Sequence, residues 1–175
     1  SRPIHRKLAT ALGDWLGREE VLLFPSGFQA NIAAIQALAT RHTPILADRF
    51  IHHSLLVGVK NCGAKLIRYS HNDLNDLEKH LKRCVKKQPN QPPLVLTESL
   101  FSMEGTSPDL EKLAQLCADF GAKLLVDEAH ALGVMGPQGK GLCYGLLSPV
   151  AIITGTFGKA FGSGGAFLAS NQQIG

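Results

Sequence analysis

Two side chains that could take part in catalysis follow an apolar run in the segment VDEAHALGVMG, residues 126–136. Asp127 supplies a carboxylate, and His130 supplies an imidazole three residues later. An Asp-Glu-Ala-His sequence at the end of a strand is typical of helicase motors, where acids hold the magnesium ion of a nucleoside triphosphate. A carboxylate in this position can also pair with the nitrogen of a pyridine ring. The rest of the sequence decides between the two chemistries.

Nucleoside triphosphate chemistry requires a phosphate-binding loop of the form GxxxxGK[ST] before the acidic strand. No segment that precedes Asp127 has this form. The segment GPQGKG, residues 136–141, has the wrong spacing, and GTFGKAFGSGG, residues 155–165, lacks Ser or Thr after its lysine. Both segments also follow Asp127. Order and spacing therefore exclude the motor interpretation.

An aldehyde cofactor needs a lysine, and Lys159 lies in the glycine-rich segment TFGKAFGSGG. A lysine amine can form a Schiff base with a carbonyl, and small residues let a bulky ring approach the backbone. In this chemistry Asp127 keeps the pyridine nitrogen protonated, so that the ring can withdraw electrons. Taken alone, Lys159 is more simply an exposed loop lysine and Asp127 a helix cap.

Such a cofactor also carries a phosphate. Gly27 and Phe28 open a helical segment and can present backbone N–H groups to an anion. Thr156 can add a hydroxyl, since it precedes Lys159 by three residues. The alternative at this helix is a simple cap by Ser26.

The ring itself needs neighbours. His52 or His53 can stack on its flat face, and the other of the two is then a surface residue. Ser102 and His130 follow two strands and can hydrogen-bond the phenolic oxygen of the ring. His130 can equally be a structural histidine. Each signal is weak alone, but their common position after strands is difficult to produce by chance.

Apolar runs alternate with helical segments along the chain, which predicts how these residues are positioned. The runs are continuous, as in strands buried on both faces, and strand–helix alternation predicts an α/β fold with a mostly parallel sheet and helices on both faces. Ligands bind beyond the carboxyl ends of such strands. In the segment 107–121 we expect Ser107 to cap a helix that Pro108 opens and Gly121 ends. The predicted strands are 21–24, 44–48, 65–70, 93–99, 122–129, 151–156 and 165–170.

Bulk properties are those of an ordinary globular domain. The 175 residues carry a net charge of +4, and 45% are hydrophobic. No basic run is interleaved with aromatics, so we expect no nucleic-acid partner. The four cysteines are isolated, which argues against a disulfide framework or a metal site and favours a cytoplasmic location. No apolar run is long enough for a membrane span.

Five segments together resemble the α-oxoamine synthases, a family of pyridoxal-phosphate enzymes with the aspartate-aminotransferase-like fold. The similarity runs in order over nearly the whole chain, through FPSGFQAN, DRFIHHSL, TESLFSMEG, VDEAHALGVMGPQGKG and GTFGKAFGSGGAF. The segment HNDLNDLE and the DEAH sequence favour the branch that condenses L-alanine with pimeloyl-CoA, or its acyl-carrier form, in biotin biosynthesis. The alternative branch uses glycine and acetyl-CoA.

The resemblance implies a role for each candidate residue. Lys159 would hold pyridoxal 5'-phosphate and act as base for the substrate Cα proton, and Asp127 would face the pyridine nitrogen. His52 would stack on the ring and touch substrate, since it is the fourth residue after Asp48 in the DRxxHxSL pattern. His52 or His130 would also assist at the thioester oxygen.

The remaining implied roles concern the rest of the cofactor and the substrate. Ser102 and His130 would contact the phenolic oxygen. Arg2 would contact substrate. Gly27, Phe28 and Thr156 would serve the phosphate.

The sequence also departs from this family. Residues 1–175 are expected to be a pyridoxal-phosphate-binding large domain without the smaller C-terminal domain, and Ser1 and Arg2 enter the first helix without the usual glycine-containing loop. The family's active sites lie at a homodimer interface, so we expect the 175 residues alone to turn over poorly. A non-catalytic accessory subunit is a further alternative, but such a subunit would be expected to lack Lys159.

Overall fold

The structure is a computed structural model that describes residues 2–158 and 164–171. Lys159 therefore lies outside the described residues. The helices are α1 (Pro3–Leu16), α2 (Gly27–Leu38), α3 (His53–Cys62), α4 (Leu74–Lys87) and α5 (Leu110–Asp119), with a short 3₁₀ turn at Pro137–Gly139. The strands are β1 (Glu20–Phe24), β2 (Ile45–Asp48), β3 (Leu66–Tyr69), β4 (Leu94–Glu98), β5 (Lys123–Asp127), β6 (Ile152–Thr156) and β7 (Ala166–Ser170).

The described residues form one seven-stranded sheet in the order β1-β7-β6-β5-β4-β2-β3. Strands β2 to β6 are mutually parallel, which confirms the predicted mostly parallel α/β sheet. Strand β7 departs from this pattern, because it pairs antiparallel with both β1 and β6. Only nine residues, 157–165, separate β6 from β7. A parallel crossover needs a dozen or more residues, so this short connection requires an antiparallel return.

Helices cover both faces of the sheet and create two apolar cores. In β5, Leu124 and Val126 point to the face that α1, α4 and α5 cover, whereas Leu125 points to the face covered by α2 and α3. This alternation follows from the two-residue period of a strand. Burial on both faces explains why the strands read as continuous apolar runs.

Two ends of helices show how local sequence positions the elements. Ser26 caps α2, because its hydroxyl accepts a hydrogen bond from the backbone of Gln29 at 3.2 Å. The predicted cap of α5 is wrong: Asp109, not Ser107, accepts from the backbone N–H of Lys112 at 3.1 Å. Pro108 is buried just before this cap and does not open the helix. The carboxylate of Asp109 lies next to the free N–H groups of the first turn, so it takes the capping role.

No helix within the described ranges is both long and apolar enough to span a bilayer.

Candidate functional site

A cleft of about 180 Å³ lies where the carboxyl ends of β4, β5 and β6 meet the beginnings of α2 and α3. Six of the residues predicted from the sequence line it: Gly27, Phe28, His52, Asp127, His130 and Thr156. The other lining residues are Asn31, Ser54, Glu98, Ala129, Thr154 and Gly155. The parallel sheet therefore brings side chains from five segments of the sequence to one place.

Asp127 ends β5 at the base of this cleft and is 7% exposed. Its Oδ1 accepts a hydrogen bond from the backbone of Ala129 at 2.9 Å. Its Oδ2 accepts from Nδ2 of Asn31 at 3.0 Å. Each carboxylate oxygen has a further lone pair. The carboxylate is thus oriented by two donors and retains the capacity to accept a hydrogen bond from a ligand.

Asn31 is held in turn by two buried hydroxyls. Oγ1 of Thr154 donates to Oδ1 of Asn31 at 2.6 Å, and Nδ2 of Asn31 also donates to Oγ of Ser54 at 2.9 Å. The three side chains of Asn31, Ser54 and Thr154 are 3%, 1% and 2% exposed. Asn31 is therefore fixed from both ends of its amide.

His52 immediately precedes α3 and is its N-cap residue. Its Nδ1 accepts a hydrogen bond from the backbone of Ser54 at 3.1 Å and lies 2.8 Å from Oγ of the same serine. His53, the alternative stacking residue, is the first residue of the helix and is exposed, and it is not among the residues that line the cleft. His52 thus lines the cleft, and its stacking role stays a prediction.

Thr156 and His130 line the same cleft. The hydroxyl of Thr156 donates to the carbonyl oxygen of Gly165 at 3.2 Å and accepts from the backbone of Gly158 at 3.1 Å. These bonds fix the beginning of the segment that leads to Lys159. His130 is half-buried.

Two other candidates lie away from the cleft lining. Arg2 is exposed and is the N-cap of α1. Ser102 is exposed in a turn closed by a bridge between Phe101 and Thr106. Neither residue is among those that line the cleft.

His71 anchors this turn to the sheet. Its Nδ1 lies 2.8 Å from Oδ1 of the fully buried Asp48, and its Nε2 lies 2.8 Å from Oγ1 of Thr106. The imidazole also packs edge-on against Phe101, with ring centroids 4.6 Å apart. The side chain of His71 therefore joins the end of β2 to the turn that follows β4.

Glu128, the second acid of the DEAH sequence, points away from the cleft. Its Oε1 accepts hydrogen bonds from the backbone of Leu142 and of Cys143, at 2.6 and 3.1 Å. Burial raises the pKa of Glu128, and the two backbone donors oppose this effect. In a motor protein both acids would serve the nucleotide, whereas here the second one anchors the loop that follows β5.

A second and larger cavity, of about 720 Å³, lies between α1 and the edge formed by β1 and β7. Its described lining is mostly apolar and includes Leu8, Trp15, Phe24 and Phe157, with His5 as the one titratable side chain among them. None of the predicted site residues that the structure describes lines this cavity, whereas six of them line the smaller cleft. Among the described residues, no group of three or more His, Cys, Asp or Glu side chains is arranged to hold a metal ion.

The chain matches the family of class I and II aminotransferases over residues 1–174. It belongs to this family.

Named relatives agree with this assignment. The chain is 44% identical to 8-amino-7-oxononanoate synthase of Alkalilimnicola ehrlichii, over 99% of the chain and 44% of that protein. It is 38% identical to a serine palmitoyltransferase of Bacteroides ovatus, over 98% of the chain and 43% of that protein. The chain thus spans less than half the length of these relatives.

A solved structure supports the same fold. Serine palmitoyltransferase from S. paucimobilis, determined with bound PLP and myriocin, superposes with a TM-score of 0.91 at 32% identity. The superposition covers 98% of this chain and 43% of that one. The resemblance inferred from the five motifs is therefore confirmed, together with the predicted fold class.

Sequence reasoning missed Asn31, Ser54, Glu98 and Thr154. Asn31 did carry a signal, because it is a lone amide in the apolar stretch ANIAAI of α2, and a buried amide requires partners. Glu98 is a carboxylate that ends a largely apolar strand, and its register partner on β5 is Asp127. Thr154 lies in the middle of an apolar strand. Which partners they contact depends on how α2 crosses β5 and β6, and the sequence alone does not give that crossing.

Proposed function

We propose that this chain binds pyridoxal 5'-phosphate in the cleft and forms the cofactor-binding large domain of an enzyme that condenses an amino acid with an acyl thioester. The observation that carries the proposal is the buried carboxylate of Asp127, held by Asn31 and Ala129 at the base of a cleft lined by His52. Family membership and the PLP-bound relative support it.

The residues present fit this cofactor. Asp127 has a lone pair available for a protonated ring nitrogen, and two donors keep its carboxylate in place. Gly27 and Phe28 begin α2, and the first N–H groups of a helix have no acceptor within the helix. A phosphate at this end is also stabilised by the helix dipole. The imidazole of His52 lies at the same cleft and is the predicted stacking residue.

When bound, pyridoxal 5'-phosphate withdraws electrons from the substrate carbon next to the amine. Asp127 sustains that effect by holding the proton on the ring nitrogen. Lys159 would hold the cofactor through its amine, and this amine, once the incoming amino acid has displaced it, would act as the base for the Cα proton. The Cα would then form a bond with the thioester carbon while the C–S bond breaks and the thiol leaves. The bond between Cα and its carboxylate would break next, which releases carbon dioxide, and Cα would take up a proton. His52 or His130 donates a hydrogen bond to the thioester oxygen.

The substrates we propose are L-alanine and pimeloyl-CoA or pimeloyl-acyl carrier protein, which give 8-amino-7-oxononanoate. The 44% identical relative supports this pair. A second candidate is the reaction in the name of the 38% identical relative, serine palmitoyltransferase. Glycine with acetyl-CoA is the third pair to test. The proposal also includes a homodimer with the active site at its interface, a further small domain in the whole protein, and a cytoplasmic location, in keeping with the four free thiols.

Borohydride trapping tests the cofactor. The whole protein, incubated with pyridoxal 5'-phosphate, should become yellow, and borohydride should bleach it and fix one cofactor per chain. Lys159→Ala should abolish the reducible link, whereas Lys112→Ala, at an exposed lysine of α5, should leave it intact. A link that persists in Lys159→Ala would contradict the assignment of the lysine.

Thiol release then tests the reaction. L-Alanine, glycine and L-serine are each combined with pimeloyl, acetyl and palmitoyl thioesters, and free thiol and carbon dioxide are measured together. We expect the largest kcat/KM for L-alanine with a pimeloyl thioester. Preference for another pair would replace the substrate assignment, and the absence of thiol release with every pair would refute the condensation.

A further inference from the structure

The hydrogen bonds of Asn31 have only one consistent polarity. The carboxylate of Asp127 can only accept when ionised, so Nδ2 of Asn31 must face it. Oδ1 of Asn31 is therefore the atom that faces Thr154, whose hydroxyl must donate. The second hydrogen of Nδ2 is then directed to Oγ of Ser54, 2.9 Å away.

The same assignment of donors and acceptors extends from Ser54 to His52. Because Oγ of Ser54 accepts from Asn31, its own hydrogen remains available for Nδ1 of His52 at 2.8 Å. The backbone N–H of Ser54 also points at Nδ1, at 3.1 Å. The backbone N–H is a donor of fixed direction, and the hydroxyl can donate beside it. A proton on Nδ1 would face the backbone N–H, so a neutral ring is favoured with its proton on Nε2.

Burial makes this arrangement difficult to reverse. Asn31, Ser54 and Thr154 are nearly excluded from solvent. Rotation of the Asn31 amide by half a turn would set its oxygen against the carboxylate of Asp127 and leave Thr154 facing an N–H group. A buried polar group without a partner is costly, and the cost is higher next to a charge. Asp127 therefore orients the amide of Asn31, and Asn31 in turn donates to the Ser54 hydroxyl that faces His52.

We propose that Asn31 is a positioning residue that couples Asp127 to His52 and favours the tautomer of the imidazole with its proton on Nε2. In this tautomer His52 lines the cleft as a hydrogen-bond donor through Nε2, and its Nδ1 accepts from Ser54. The consequence for the reaction, which rests on the proposed function, is that His52 assists the thioester oxygen by donating a hydrogen bond and does not act as a base. The tautomer itself depends only on the described contacts.

Nitrogen NMR of the imidazole rings tests the inference directly. Long-range correlation spectra of the whole protein labelled with ¹⁵N, recorded without cofactor at neutral pH, report which ring nitrogen carries the proton. The signals of His52 are assigned by their loss in His52→Gln. We expect an unprotonated Nδ1 and a protonated Nε2. A protonated Nδ1, or an equal mixture of tautomers, would overturn the inference.

Variants test whether Asn31 is the cause. Asn31→Asp replaces the donor with an acceptor, so the hydroxyl of Ser54 should turn toward it and the His52 proton should shift toward Nδ1. Thr154→Val removes a hydrogen bond of the same network without changing the group that faces Ser54, and it should leave the tautomer of His52 unchanged. The exposed neighbour His53 is the internal reference, whose signals should remain constant in every variant.

A second variant keeps the test decisive if Asn31→Asp does not fold. Ser54→Ala removes one of the two donors to Nδ1 and retains the backbone N–H, so the population protonated at Nδ1 should rise. An unchanged tautomer in every folded variant at positions 31 and 54 would show that the network does not control His52.

The outcome is separate from that of the cofactor experiment. If the Nε2–H tautomer is found but no pyridoxal 5'-phosphate binds, the proposed function fails and the coupling remains. If the cofactor binds and thiol is released but Nδ1 carries the proton, the coupling fails and the proposed function remains.

Discussion

Replacement of Asn31 by leucine should destabilise the protein severely, although the two side chains have the same branching. The leucine leaves Oδ2 of Asp127 without its side-chain donor and the hydroxyl of Thr154 without its acceptor. Ser54 loses one donor but keeps its contact with His52. A buried polar group left without a partner costs about 1–3 kcal/mol, so the two groups that lose their partners lower the free energy of unfolding by roughly 2–6 kcal/mol.

Urea denaturation of the whole protein without cofactor, followed by circular dichroism, measures this loss. Thr154→Val is the matched control, because it removes only one hydrogen bond of Asn31 and should cost about 1–3 kcal/mol. The midpoint of the urea transition should fall, while the slope of the unfolding free energy against urea concentration stays constant. This combination indicates a change in stability and not in the surface exposed on unfolding. A loss below about 1 kcal/mol for Asn31→Leu, or one no larger than that of Thr154→Val, would refute the reasoning.

Three further predictions concern groups outside the cleft lining. Burial raises the pKa of Glu128 in the folded state, so its contribution to stability is present below the pKa of the unfolded chain and is lost as pH rises through the folded pKa. The Tm of Glu128→Gln should therefore fall less than that of the wild type between acid and neutral pH, and identical pH profiles of Tm would contradict this. Gly141→Ala should destabilise more than Gly145→Ala, since both have positive φ but only the first would place a Cβ against a buried carboxylate; equal losses in thermal unfolding would argue against that contact. His71→Ala should accelerate hydrogen exchange in the turn that carries Thr106, and unchanged exchange there would show that the imidazole does not anchor it.

The sequence predicted the sheet and the location of the cleft because both depend on local patterns. Continuous apolar runs predicted the parallel strands, and the order of polar residues after them predicted that Asp127 and His52 meet. The direction of β7 could have been predicted as well, because nine residues after β6 are too few for a parallel crossover.

Other features depend on tertiary contacts that a sequence does not specify. Asp127 and Glu128 are adjacent, and the two-residue period of a strand already predicts that they face opposite sides. The partners of the two acids could not be predicted from the sequence. Asn31, which donates to Asp127, is 96 residues away in the chain, and Leu142, whose backbone donates to Glu128, is 14 residues away. The cap of α5 was missed because Ser107 and Asp109 both suit the role, and only the geometry selects the aspartate.

The protonation state of the cofactor nitrogen tests the central claim most directly. The whole protein is loaded with pyridoxal 5'-phosphate labelled with ¹⁵N in its ring, and the nitrogen signal is compared between the wild type and Asp127→Ala. We predict a protonated ring nitrogen in the wild type and an unprotonated one in the variant. The same protonation state in both proteins would mean that the ring nitrogen does not face Asp127, and it would contradict the proposed site.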